Sequence, residues 1–95
     1  MALESEEMTA VPRVEIYVKT FCAYCFRAKH LLDSKGIEYK EHLLVFGGPE
    51  REQMIKRSGG RTTVPQIFID GQHIGGCEEL MKLESQGKLD ELLAA

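Results

Sequence analysis

Cysteine is scarce in this sequence, and the number of cysteines is odd. Only Cys22, Cys25 and Cys77 are present among 95 residues. Three cysteines cannot all pair, and they are too few for the disulfide framework of a small secreted domain. We therefore expect a reducing compartment, the cytoplasm, and cysteines that serve chemistry rather than structure.

Long apolar runs are also missing, as are the features of a leader peptide. No apolar run is long enough to span a membrane, and the N-terminus lacks the basic residues and apolar segment of a signal peptide. Residues 1–12 contain three glutamates but no lysine or arginine. We expect them to form a flexible acidic extension, and residues 13–95 to form one small domain.

Carboxylates are absent from one stretch of the domain. The formal net charge is −3, but without the three glutamates of the extension 12 acidic residues balance 12 basic ones (15 − 3 = 12). From residue 16 to residue 32 the sequence carries Lys19, Arg27 and Lys29 and no carboxylate. This local positive charge favours thiolates and anionic ligands, although a solvated helix face is the simpler alternative.

Two of the cysteines lie within this basic stretch, three residues apart. Cys22 and Cys25 follow the apolar, β-branched run 14–18 and precede the helix-like run 26–35. A helix N-terminus has unpaired N–H groups and partial positive charge, which stabilise a thiolate. The position predicts reversible disulfide chemistry, with Cys22 as the nucleophile and Cys25 as its intramolecular partner.

The remaining pattern predicts an α/β domain with the element order β-α-β-α-β-β-α-α. We expect strands at 14–19, 37–45, 66–69 and 72–74, and helices at 26–35, from Pro49 to the Gly59-Gly60 pair, from Cys77 through Leu83, and after Gly87. A β-α-β unit has parallel strands, whereas Asp70-Gly71 predicts a hairpin. The expected architecture is a mixed four-stranded sheet with helices on both faces.

Three sequence blocks in this order resemble a dithiol, class I glutaredoxin. They are KTFCAYC at 19–25, TVPQIFI at 63–69 and GGCEEL at 75–80. The run 55–65 resembles the bacterial three-cysteine type. Members of that type usually have a proline where this chain has Ala23. The resemblance implies a thioredoxin-like fold, glutathione as the reducing cosubstrate, and reduction of protein disulfides and protein–glutathione mixed disulfides.

The resemblance also implies a glutathione site. Its expected residues are Lys19, Tyr24, Arg57, Thr63, Val64, Pro65, Gly76, Cys77 and Glu78. Lys19 would meet a carboxylate of glutathione, and Tyr24 would cover the ligand. Taken alone, Lys19 could instead be a surface charge and Tyr24 a half-packed ring.

In the family, the bond before Pro65 is cis, which leaves the Val64 backbone to pair with the cysteinyl part of glutathione. The resemblance assigns Thr63 to the glutathione site together with Val64. The backbone at Cys77 and Glu78 would hold the glutamyl carboxylate, and Arg57, with Arg51 as the alternative, the glycyl carboxylate.

The cysteine motif is also compatible with other functions. A [2Fe–2S] cluster could join two chains through Cys22 of each and two glutathiones, because Ala23 removes the proline's rigidity. Structural zinc, with Cys77 and His73 as further ligands, lacks a second ligand pair at the usual spacing, so we expect no metal site.

Thioredoxin is disfavoured because the chain has no tryptophan and no WCGPC motif.

Cys77 is either a buried packing residue or a regulatory thiol that glutathione modifies. We expect a monomer unless a cluster is bound, and no membrane partner. We also expect no nucleic-acid partner, since the basic residues between 51 and 61 lack stacking aromatics.

Overall fold

The computed structural model describes residues 13–44 and 48–94. Their elements are β1 Val14–Val18, α1 Ala23–Ser34, β2 Lys40–Leu43, α2 Pro49–Arg57, β3 Gln66–Ile69, β4 Gln72–Gly75, α3 Cys77–Ser85 and α4 Lys88–Ala94. This order is the predicted one. The acidic extension 1–12 and the predicted strand end at Val45 lie outside the described residues. Within those residues, none of the helices has the length and apolarity required to cross a membrane.

The four strands form one mixed sheet in the order β2-β1-β3-β4. Strand β1 runs parallel to β2 and antiparallel to β3, and β3 pairs antiparallel with β4. Asp70 and Gly71 join the last two strands with φ angles of 53° and 81°. Positive φ at both central residues is typical of a tight two-residue hairpin, so the predicted hairpin and mixed sheet are confirmed.

Helices cover both faces of the sheet, as predicted. On one face α1, α3 and α4 pack against the strands in a core built from Ile16, Val18, Ala28, Leu32, Ile67, Leu80 and Leu89. The alternate strand residues Tyr17 and Phe68 face the other side and pack with Met54 of α2. Period-two alternation along β1 and β3 therefore builds two separate cores.

Two elements begin at a residue other than the predicted one. Helix α1 begins at Ala23, three residues before the predicted start, because the sulfur of Cys22 caps its first turn. Strand β2 begins only at Lys40, because the chain after α1 is still turning. There the N–H of Gly36 donates to the carbonyl of Asp33 at 2.9 Å and the N–H of Ile37 to that of Leu32 at 3.1 Å.

Arg13 ties the start of the sheet to the end of the chain. Its guanidinium donates to both carboxylate oxygens of Asp70, at 2.9 and 3.0 Å, and to the carbonyls of Leu92 and Leu93 in α4. The last carbonyls of a helix have no partner within the helix. Arg13 therefore satisfies the end of α4 and holds it beside the hairpin.

Candidate active site

The two motif cysteines form a disulfide at the N-terminus of α1. Their Cα atoms are 5.2 Å apart. Cys22 is the N-cap residue, with an extended backbone, and its Sγ accepts a 3.1 Å hydrogen bond from the N–H of Cys25. Cys25 is only 2% exposed, whereas Cys22 is partly exposed. An attacking sulfur from outside therefore reaches Cys22 more readily than Cys25.

The surface around Cys22 is unusually apolar. Phe21 and its neighbours Tyr24, Phe26 and Leu43 are the large apolar residues that the described chain leaves exposed. Phe21 also has a φ angle of 56°, a left-handed conformation that is uncommon for a bulky residue and costs of order 1 kcal/mol. Exposed apolar patches of this kind mark sites where another molecule docks.

A cavity of about 540 Å³ opens beside the motif, between the start of β3 and the start of α3. Seven of the nine residues predicted for the glutathione site line it: Tyr24, Thr63, Val64, Pro65, Gly76, Cys77 and Glu78. The C-terminal end of β1 lies beside the N-terminal end of its antiparallel neighbour β3. For that reason, blocks far apart in sequence meet at one end of the sheet.

The two walls of this cavity pack closely against each other. The peptide bond between Val64 and Pro65 is cis, as the resemblance implies. On the opposite wall, a Cβ atom added to Gly76 would lie 3.2 Å from the carbonyl oxygen of Pro65, and one added to Gly75 would lie 2.8 Å from the side chain of Glu79. A side chain at position 76 would therefore be tight against the opposite wall, and one at position 75, where φ is 129°, would collide with Glu79.

Lys19 and Arg57 do not line this cavity. Lys19 lies on the other side of the motif, in a second groove of about 740 Å³ whose lining also includes Cys22, Arg27 and Lys29. Lys29 is paired there with Glu41 at 3.0 Å. Arg27 lines both depressions, so the cavity and the groove meet at α1.

Arg57 binds residues of the sheet instead. Its guanidinium donates to both carboxylate oxygens of Glu15, at 2.9 and 3.0 Å, and to the hydroxyl of Tyr17 at 2.8 Å, and lies 4.2 Å from the centre of the Phe68 ring. Hydrogen bonding to Arg57, and secondarily to His42, holds the pKa of Glu15 below its usual value. These contacts direct the charge of Arg57 to the α2 face of the sheet.

Arg61, which is not among the predicted site residues, also lines the cavity, beside its β3 wall. Its Nη2 atom lies 3.6 Å from Oε1 of Glu79, which accepts a 2.6 Å hydrogen bond from the N–H of Gly76. That backbone hydrogen bond is the main reason why the pKa of Glu79 is lowered. Two sequence positions could have indicated these residues. Arg61 stands two residues before Thr63, and Glu79 stands three residues after Gly76.

Cys77 lies in the cavity wall as a buried free thiol, 6% exposed. Burial raises the pKa of this thiol, and the positive charge of Arg27 opposes the shift only in part. At neutral pH the sulfur is therefore protonated and a poor nucleophile. In the described ranges 13–44 and 48–94, no three His, Cys, Asp or Glu side chains are grouped so that they could hold a metal ion.

Comparison with known proteins agrees with this geometry. The family model described as Glutaredoxin matches residues 14–74. Glutaredoxin 3 of Escherichia coli strain K12 is 60% identical over 80 residues, covering 84% of this chain and 95% of the relative.

Two solved structures are also similar to this chain. The solution structure of glutaredoxin from Brucella melitensis is 51% identical, with a TM-score of 0.72 and coverage of 86% of this chain and 88% of that one. The crystal structure of a buckwheat glutaredoxin–glutathione complex is 30% identical, with a TM-score of 0.78 and coverage of 97% and 86%.

Proposed function

Because the chain belongs to the glutaredoxin family, we propose that it is a glutathione-dependent thiol–disulfide oxidoreductase. The family and the Cys22–Cys25 pair together imply thiol–disulfide chemistry. The proposal adds glutathione as the reductant, and protein disulfides and protein–glutathione mixed disulfides as substrates. The observation that carries it is the cavity of about 540 Å³ beside the disulfide, whose lining combines Arg27 and Arg61 with a helix N-terminus.

Glutathione has a carboxylate at each end, an ammonium group at its glutamyl end and a sulfur between them. With that sulfur at Cys22, the glutamyl carboxylate lies at the N–H groups of Cys77 and Glu78, where the first turn of α3 lacks partners within the helix. The Glu78 carboxylate meets the ammonium group, and Arg61 adds positive charge. This wall also contains Val64, whose backbone pairs with the cysteinyl residue.

The glycyl end points the other way, towards the groove that contains Lys19. Lys19 meets the glycyl carboxylate in this arrangement, and Tyr24, which is 61% exposed, covers the ligand from the first turn of α1. Arg57 takes no part, because Glu15 already occupies its guanidinium. The buckwheat glutaredoxin bound to glutathione supports a ligand of this class.

With a glutathionylated protein, the Cys22 thiolate attacks the sulfur of the glutathionyl group. The bond between the two substrate sulfurs breaks, and the protein leaves as a thiolate that takes a proton. A second glutathione, as its thiolate, then attacks the glutathionyl sulfur on Cys22. Oxidised glutathione is released and the Cys22 thiolate is restored, so this route needs only one cysteine.

With a protein disulfide, the Cys22 thiolate attacks one substrate sulfur and displaces the other. Cys25, after losing its proton, attacks the Cys22 sulfur of this mixed disulfide and releases the second substrate thiolate. The resulting Cys22–Cys25 disulfide is the state of the structure. Two glutathiones reduce it in turn: the first forms a mixed disulfide with Cys22, and the second releases oxidised glutathione.

Protein substrates fit the exposed apolar surface that surrounds Cys22. Phe21, Tyr24 and Phe26 can pack against the chain that carries the substrate disulfide. The groove beside them contains Lys19 and Arg27, so the surface is basic as well as apolar. The proposal places this chemistry in the reducing cytoplasm, with the protein as a monomer that binds neither nucleic acid nor membrane.

A glutathione-coupled assay tests the proposal. Purified protein receives a glutathionylated peptide or a disulfide-linked peptide, and the formation of oxidised glutathione is followed with glutathione reductase. We expect turnover that saturates with glutathione and disappears in Cys22→Ser. Turnover that requires a flavin-dependent thioredoxin reductase and ignores glutathione would contradict the proposal.

A second candidate function is the binding of a [2Fe–2S] cluster. Among the described cysteines Cys25 and Cys77 are buried and Cys22 alone is partly exposed, so one chain offers one thiolate ligand. The residues present fit a cluster only if two chains each give Cys22 and glutathione completes the ligation. The exposed Phe21 and Ala23 beside that sulfur favour such a contact.

Purification under anaerobic conditions separates the two functions. A coloured dimer that bleaches when glutathione is removed would establish the cluster. A colourless monomer after attempted reconstitution would exclude it and leave the oxidoreductase activity untouched.

A further inference from the structure

We propose that Gln66 and His73 are positioning residues that hold Thr63 in place at the cavity for glutathione. The inference rests on the proposed function, because it assigns these side chains a role in the affinity for that cosubstrate. Thr63 lines the cavity, whereas Gln66 and His73 do not. They act through the loop that precedes Pro65.

Gln66 lies completely buried at the first position of β3. Its amide nitrogen donates to the carbonyl oxygen of Thr63 at 2.9 Å and approaches the Thr63 hydroxyl at 3.3 Å. Its amide oxygen lies 2.7 Å from Nε2 of His73. One side chain therefore spans the Val64-Pro65 pair and connects the cavity loop to β4.

The direction of each hydrogen bond follows from the carbonyl of Thr63. A carbonyl oxygen only accepts, so the NH₂ group of Gln66 must face it. The amide oxygen then faces His73, and Nε2 of the imidazole must carry a hydrogen. Burial, and secondarily the charge of Arg61, lowers the pKa of His73, so the neutral ring with the proton on Nε2 is the form present at neutral pH.

Burial of an amide at this position is energetically unfavourable in comparison with an apolar side chain. The other three residues of β3 are all apolar and buried, and a leucine at position 66 would bury more apolar surface without any polar group to satisfy. A buried amide costs free energy unless its hydrogen bonds are made. Here they are made, since no buried side-chain polar atom of the described residues lacks a partner.

The bonds formed by Gln66 concern the part of the wall that the ligand approaches. Val64 packs against both cores, but Thr63 is exposed, so apolar packing holds the Val64 side chain and not the Thr63 carbonyl. The carbonyl of Thr63, held inwards by Gln66, sets the orientation of the peptide that leads to Val64. That residue's backbone is the proposed partner of the cysteinyl group of glutathione.

The test compares variants of Gln66 and His73 in the glutathione-coupled assay. Gln66→Leu removes the hydrogen bonds to Thr63 and His73. Gln66→Glu keeps an acceptor for His73 but places a carboxylate oxygen against the Thr63 carbonyl. We expect both to raise the KM for glutathione by about threefold to tenfold, the effect of one lost positioning hydrogen bond. We expect kcat to change by less than about twofold, because Cys22 and Cys25 are not disturbed.

The partly exposed His73 provides a second pair of variants, which keeps the test valid if the buried Gln66→Leu fails to fold. His73→Phe removes the donor to Gln66, whereas His73→Gln keeps an N–H group at similar reach. We expect His73→Phe to raise the KM for glutathione and His73→Gln to restore a value near the wild type. Rescue by the donor-bearing side chain distinguishes positioning from simple packing.

Leu32→Ala is the control for loss of stability, because Leu32 is completely buried near the C-terminal end of α1, whereas the cavity lies at the N-terminal end of that helix. It should lower the melting temperature and leave the KM for glutathione unchanged. If the Gln66 and His73 variants kept the wild-type KM, or if Leu32→Ala raised it equally, the positioning role would be overturned. A wild-type enzyme that does not saturate with glutathione would instead overturn the proposed function, and this role with it.

Discussion

The backbone N–H of Cys25 donates a 3.1 Å hydrogen bond to the sulfur of Cys22. The first N–H groups of a helix have no partner within the helix, and here a cysteine sulfur takes the place of the usual serine or aspartate cap. When the disulfide is reduced, the same N–H group faces the free sulfur and favours its thiolate form. Helix capping and nucleophile activation thus use the same atoms.

Substitutions of the two motif cysteines should have different effects on turnover. Cys22→Ser should abolish both deglutathionylation and disulfide reduction, because every route passes through the Cys22 sulfur. Cys25→Ser should lose reduction of disulfide-linked peptides and keep turnover of glutathionylated peptides. Assays of both substrates with both variants check this, and residual turnover by Cys22→Ser on either substrate would refute the assignment.

Arg61 and Arg57 form a matched pair for locating the charge that meets glutathione. Arg61→Gln should raise the KM for glutathione by about threefold to tenfold with little change in melting temperature, since Arg61 lines the cavity. Arg57→Gln should lower the free energy of unfolding by about 1–3 kcal/mol, because it leaves Glu15 without its main partner. Steady-state kinetics and urea unfolding measure the two effects, and the opposite assignment of them would restore Arg57 as the ligand residue.

Glu15 should make stability depend on acid pH. Its pKa is lowered in the folded chain, mainly by hydrogen bonding to Arg57, so its ionised form stabilises the fold above about pH 4.5, and this contribution is lost as the pH falls through the lowered pKa. Glu15→Gln should therefore destabilise the protein by about 1–3 kcal/mol at pH 7.

The difference from the wild type should shrink below about pH 4.5. The matched control is Glu38→Gln on an exposed loop residue, for which we expect a change within about 0.5 kcal/mol. Urea unfolding between pH 3 and 7 gives both curves. A difference for Glu15→Gln that stays constant across that range would argue against the ion pair.

Cys77 should be unreactive while the protein is folded. Burial raises the pKa of its thiol, so the thiolate fraction at pH 7 is small and the sulfur is inaccessible. In a Cys22→Ser, Cys25→Ser double variant, iodoacetamide or oxidised glutathione should leave Cys77 unmodified at pH 7. Both should modify it in denaturant, as intact-mass measurement will show. A glutathione adduct on the folded double variant would support the regulatory alternative for this cysteine.

Much of the fold was predictable because the decisive signals are local. The alternation in β1 and β3 and the Asp70-Gly71 turn each specify one element, and short connections bring successive elements together. The start of α1 was not predictable from these signals. A cysteine is not a usual N-cap residue, and only the bond between its sulfur and the Cys25 N–H shows that the helix begins at Ala23.

The candidate site was predictable where it depends on backbone blocks and not where it depends on long side chains. The blocks at 19–25, 63–69 and 75–80 meet because they all lie at one end of the sheet. Sequence spacing could not distinguish Arg57 from Arg61, since the choice depends on where α2 ends and on the attraction of Glu15. The bond from Gln66 to Thr63 leaves no trace in any sequence pattern.

Direct trapping of glutathione on the enzyme tests the central claim, that glutathione reacts at Cys22. Cys25→Ser protein is reduced, mixed with oxidised glutathione at pH 7 and analysed by intact-mass and peptide mass spectrometry. The account predicts one glutathionyl group per chain, on Cys22, and none on Cys77. An unmodified Cys22, or an adduct on Cys77 alone, would contradict it.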